Sequence, residues 1–158
     1  MESNVRITNI SIRNFKNVNK GEISFVNSRK NFKASVLGLY GQNGSGKTAL
    51  IDALELLKGA LCEFEIPDKF ADYINVDSDG SEIEYSFDVI LDETVYPVVY
   101  SLTIMRETVQ DSGNTESAIE ERERYKAKVL NEVLKCQAKT PSGKLRMGRI
   151  IDTESTAV

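Results

Sequence analysis

Eight consecutive residues carry the clearest chemistry in the chain. Gly41-Gln42-Asn43-Gly44-Ser45-Gly46-Lys47-Thr48 fills the pattern G-x-x-x-x-G-K-[ST] at every fixed position. Glycine tolerates positive φ, so successive backbone N–H groups in such a loop can converge into a nest for phosphate oxygens. A helix opening at the end of the loop adds unpaired N–H donors and the positive end of its dipole. In this arrangement Lys47 reaches the β- and γ-phosphates and acts as the catalytic cation, while the Thr48 hydroxyl binds Mg²⁺. Residues 41–48 are therefore expected to hold a nucleoside triphosphate, ATP, together with Mg²⁺. A glycine-rich strand-to-helix turn without any ligand is the bland alternative.

Other candidate chemistry is sparse. The 158 residues include no histidine, which excludes Ser-His-Asp triads, Cys-His dyads and most imidazole zinc sites. Cys62 and Cys136 lie far apart in sequence and read as reduced thiols. Eleven carboxylates fall between Glu63 and Glu93, but without a D-x-D-x-D-G calcium loop they read as a solvated face. Val89-Ile90-Leu91-Asp92-Glu93 spells a hydrophobic strand ending in two acids. If catalytic, Asp92 would join the Mg²⁺ shell and Glu93 would activate water. Such a strand is buried on both faces and should be continuously apolar. Residues 82–91 alternate instead, which favours a hairpin turn at Asp92-Glu93-Thr94. Tyr73, Tyr85, Tyr96 and Tyr100 could stack on bases, although tyrosines in alternating strands more often pack across strands.

The loop needs a strand before it and a helix after it. Ser35 to Tyr40 is a compact apolar run ending on Gly41 and reads as a buried strand. Leu50, Ala53, Leu54, Leu57 and Leu61 fall on one face of a helix that cannot extend past Pro67. Upstream, Val5 to Phe15 reads as a strand in which strict alternation would separate Ile7 from Ile10, so a bulge or two-sided burial is expected. A turn over 17–21 leads to a short strand at Gly21 to Phe25. Downstream, the alternating runs 83–91 and 98–104 predict an antiparallel hairpin, and Leu145 to Ile151 a final strand. The stretch 117–136 carries both helical composition and strand-like alternation, and period alone does not decide between them.

The net charge of −4 is unevenly spread. Residues 1–58 hold nine basic against four acidic side chains, whereas 59–93 hold eleven acidic and one lysine. The basic segment could serve phosphate or nucleic acid, so a DNA- or protein-binding module is an alternative function class. No run of about 18 apolar residues exists. The N-terminus MESNVRITNI lacks a basic stretch followed by an apolar core. A cytoplasmic chain without membrane contact is expected.

The run Arg6-Ile7-Thr8-Asn9-Ile10-Ser11-Ile12-Arg13-Asn14-Phe15-Lys16-Asn17, followed by Leu39-Tyr40 and the loop at 41–48, resembles the opening of an ABC-type ATPase of the SMC, RecF and OLD-like group. Asn43 and the Asn14-Phe15-Lys16 run match positions of that family's pattern. The resemblance implies an α/β ATP-binding head with Asn14 and Lys16 near the nucleotide, dimerising around two ATP molecules. The region Lys128 to Leu134 looks like the β-rich insert of bacterial AAA-15-type members, which inclines 127–136 towards strand. The implied organisation is a nucleotide-binding core at 1–62, a β-rich insert at 63–152 and a tail at 153–158. No Ser-Gly-Gly-like signature run follows, so the chain resembles the N-terminal part of a head, with hydrolysis awaiting motifs supplied elsewhere. Implied partners are the remainder of the head or a second head, a nuclease or effector in anti-phage defence, and DNA in chromosome maintenance. The alternative is a self-contained, AAA+-like NTPase using Asp92 and Glu93.

Overall fold

The computed structural model describes residues 3–26, 37–62, 65–109, 124–139 and 145–153. Six strands form one sheet: β1 (Ser3–Phe15), β2 (Val18–Ser24), β3 (Gly80–Leu91), β4 (Thr94–Val109), β5 (Arg124–Lys139) and β6 (Leu145–Asp152). Their order is β2-β1-β3-β4-β5-β6, and each neighbouring pair is antiparallel. One helix, α1 (Lys47–Leu61), lies on the sheet, and a short 3₁₀ turn follows at Asp68–Phe70. The core sits between them. Ile10, Ile12 and Phe15 of β1, Ile83 and Tyr85 of β3, and Tyr100, Leu102 and Ile104 of β4 meet Ala49, Leu50, Ala53, Leu56 and Leu57 of α1. Burying a large side chain of this kind stabilises by about 1.5–3 kcal/mol.

The bulge expected in β1 is present. Ile7 pairs with Phe87 and Asn9 with Ser86, leaving Thr8 as the extra residue. Ile7, Ile10 and Ile12 thereby share the face that carries the core. The 83–104 hairpin also forms, turning tightly between Leu91 and Thr94. Residues 124–139 are strand, in agreement with the insert-like reading and against their helical composition. Tyr85 and Tyr100 stack at 6.1 Å between ring centroids in the core, and Tyr73 packs edge-on to Phe15 and Phe70.

Two expectations need correction. Among the described residues, the expected α/β core with a buried strand entering the loop is not found. Leu37 to Tyr40 form no strand; Leu37, Leu39 and Tyr40 are exposed, and residues 35 and 36 lie outside the described set. A strand at the centre of an α/β sheet needs parallel neighbours on both sides. Among the described residues every pairing is antiparallel, so this apolar run has no ladder to join. Helix α1 is also rotated from the predicted face. Leu50, Ala53 and Leu57 are buried as expected, but Leu54 is only half-buried and Leu61 is exposed, with Ala49 and Leu56 inside instead. The sheet covers one side of the helix, whereas the apolar residues of α1 span two.

Among the described residues, no helix is long and apolar enough to cross a membrane, and no group of acidic or cysteine side chains is placed to hold a metal ion. Cys62 and Cys136 are both free thiols.

Candidate phosphate-binding site

The loop at 41–48 runs directly into α1. Gly44 and Gly46 have φ of +83° and +87°, left-handed values that only glycine adopts without strain. Gly46 is the N-cap of α1, and no acidic side chain occupies the first helical turn. The positive end of the helix therefore faces the loop without a competing carboxylate. Lys47 Nζ donates to the Gly41 carbonyl at 2.8 Å, to the Gln42 carbonyl at 2.7 Å and to Ser45 Oγ at 3.1 Å. All three partners are oxygens of the loop, so the ammonium is held at the mouth of the nest. Thr48 stands in the first turn of α1, and Gln42 and Asn43 complete the loop.

Beside the loop lies a cleft of about 610 Å³. Ser45, Gly46, Lys47 and Leu50 form one wall, and the β1–β2 hairpin forms the other. The hairpin side is mixed: Ile12, Val18 and Ile23 are apolar, while Asn19, Lys20 and Glu22 are polar. A volume of this size lies within the range of small-molecule sites.

The two residues drawn in by resemblance make their contacts outside the loop. Asn14, at φ +53°, donates from Nδ2 to Ser78 Oγ at 3.0 Å. Its carbonyl accepts from Asn75 N at 2.9 Å and Ser81 Oγ at 2.5 Å. Lys16 forms an ion pair with Asp52 on α1 and lies 4.0 Å from the centre of the Tyr73 ring. Both lysine and aspartate are mostly shielded from water, with 22% and 12% of their side-chain surfaces exposed.

The residue that touches the loop is one that sequence reasoning passed over. Asn17 donates from Nδ2 to the Gly44 carbonyl. Nothing in its local sequence distinguished it from an ordinary turn residue. The contact becomes visible only once Phe15 pairs with Val18 and turns the β1–β2 corner towards the loop.

Asp92 and Glu93 are not part of this site. They form the two-residue turn between β3 and β4, with φ of +44° and +68°. Leu91 pairs with Ser3 at the start of β1, whereas the corner that meets the loop follows Phe15 at its end. Twelve strand steps separate these ends, about 40 Å. The hairpin reading of this acidic pair is therefore correct, and no catalytic strand terminates there.

A family model described as the AAA ATPase domain matches residues 6–142, well over half of the chain. The chain belongs to the AAA ATPase domain family. That span takes in the loop, α1 and most of the sheet, and it carries nucleotide binding as the general property of the family. No curated protein and no solved structure matches this AAA ATPase domain.

Proposed function

We propose that the chain binds Mg·ATP at residues 41–48 and constitutes the Walker A half of an SMC- and OLD-like ATPase head. The observation that carries this reading is the loop itself. Two left-handed glycines open onto a helix start free of acidic side chains, beside a lysine held only by loop oxygens. The backbone N–H groups orient the phosphates, Lys47 offsets their charge, and Thr48 is the chain's own ligand for Mg²⁺. Bound Mg²⁺ neutralises charge on the phosphate oxygens. The cleft against β1 and β2 supplies apolar and polar walls for the base and ribose.

Hydrolysis also needs a group that positions water in line with the γ-phosphate. Asp92 and Glu93 are remote from the loop, so turnover in this reading depends on motifs outside the described residues. The idea of an incomplete head draws support from two exposed apolar surfaces. Leu37 and Leu39 precede the loop, and Ile51 and Leu61 are exposed on α1, Leu61 at its C-terminal end. The remainder of the head is the partner these surfaces suit, with a second head across the nucleotide in the intact protein. The OLD-like resemblance favours a phage-defence system acting with a nuclease over a role in DNA maintenance.

Thermal unfolding with and without Mg·ATP tests the proposal. Protection of about 2.7 kcal/mol is expected at one hundred times Kd. It should vanish in Lys47→Ala, and phosphate release by the wild-type chain should not exceed that of Lys47→Ala. An unchanged melting temperature of the folded chain in millimolar Mg·ATP would overturn it.

A further inference from the structure

The β1–β2 corner meets the phosphate loop at two points. Asn17 holds the Gly44 carbonyl. One residue on, Val18 stands so close that a Cβ built on Gly46 would lie 2.9 Å from Val18 Cγ2. Both contacts fall on the two glycines at positive φ, the residues that shape the nest. The corner is in turn anchored from below. Lys16 N donates to the Tyr73 carbonyl at 2.5 Å, and Lys16 Nζ is paired with Asp52, one turn into α1 from Lys47. Corner, loop and helix are thus tied into one closed circuit.

We propose that Asn17 is a positioning residue of the phosphate site, acting through the Gly44–Ser45 peptide; this rests on the nucleotide-binding reading above. In a trans peptide the C=O and N–H point in opposite directions. Capturing the Gly44 carbonyl on the corner side turns the Ser45 N–H the other way, into the loop. It points there at the Gln42 carbonyl, 3.2 Å away. There the donor is taken by the Gln42 carbonyl, which a phosphate oxygen must displace; an N–H turned outward could not reach phosphate at all. Gly44 has no Cβ to resist rotation of this peptide, so its orientation is set by the hydrogen bonds at its two ends, Asn17 on the carbonyl and Gln42 on the N–H. Lys16 and Asp52 hold the corner in place and act one step further back.

The test compares Asn17→Ala and Asn17→Asp with wild type in the full chain. Pyrophosphate and Mg·ATP affinities are measured by calorimetry, and the ligand-free melting temperature is recorded beside them. Asn17→Ala removes one hydrogen bond and should weaken both ligands by the same factor, about fivefold. Asn17→Asp keeps the shape but removes the donor and sets a negative charge beside the phosphates. A larger loss, about tenfold, is expected. The ligand-free melting temperature should stay unchanged in both, which separates positioning from a merely structural role. The amide resonance of Ser45 should shift in Asn17→Ala without any ligand, and this readout stands even where wild type binds no nucleotide. Unaltered pyrophosphate affinity in a wild type that binds, or an unmoved Ser45 resonance, would overturn the proposal. Failure of wild type to bind either ligand counts instead against the nucleotide-binding reading.

Discussion

Single side chains decide much of what this molecule can tolerate. Tyr85 donates to the Ala53 carbonyl at 2.6 Å, and burial pushes its phenol well above the usual range. Tyr100 is raised by burial and then by its hydrogen bond to Glu132, at 2.7 Å. Unfolded tyrosine ionises near pH 10. The folded chain keeps protons that the unfolded chain would release, so stability is fully present below about pH 10 and falls above it. For Tyr85 alone the loss reaches about 1.4 kcal/mol per pH unit. An absorbance titration of tyrosinate should therefore show Tyr85 and Tyr100 ionising only together with unfolding. Smooth ionisation of all six tyrosines in a folded chain would contradict it. At this scale the loop was the most legible part of the sequence, because its chemistry is local: two glycines, a lysine and a threonine at fixed spacing. Asn17 was not legible, because its role exists only between segments 27 residues apart.

At the scale of elements, legibility followed how local each signal was. The β3–β4 hairpin could be read because its alternation is uninterrupted and its strands are adjacent in sequence. β5 could not be read by period, and the structure supplies the reason. Thr103 pairs with Asn131 and Ile104 with Val129, so Leu130 is an extra residue that breaks the alternation midway. Leu130 is accordingly 60% exposed, against 37% for Val129 beside it. The helix face was misjudged for a different cause, since period reports which residues are apolar and not which of two faces finds a partner. The hairpin turn offers a direct experiment. A two-residue turn with both φ positive belongs to the type that favours Asn-Gly, and a glutamate there is strained by about 1 kcal/mol. Asp92→Asn with Glu93→Gly should raise the unfolding free energy by about 1 kcal/mol in urea denaturation. Nucleotide affinity should not change. A double variant that loses ATP binding would show that the acidic pair serves the site after all.

For the whole molecule, the distribution of exposed apolar surface matters more than its amount. Pairing between chains cannot use the edges of the 82–106 hairpin, the surface alternation alone would suggest, because β1 and β5 cover both. Among the described residues, the edge strands are β2 and β6. Ile51 and Leu61, each 58% exposed, stand on α1 and not on an edge strand. More than half of each residue's surface is left uncovered by the chain on its own. Ile51→Glu with Leu61→Glu should leave its unfolding free energy within about 0.5 kcal/mol and reduce self-association measured by light scattering. A marked loss of stability would mean that this side of α1 is already covered.

The extra residue at Thr8 has a consequence for comparing this chain with its relatives. It acts as a half-period phase shift, setting Val5 and Ile7 in step with Ile10 and Ile12 rather than out of step. In a relative lacking that one residue, Ile7 would stand directly before Asn9 and two places from Ile10, so plain alternation would set it on the same face. A single gap at that place in an alignment therefore records the loss of the bulge with both sheet faces kept, whereas a gap elsewhere in β1 would invert one of them.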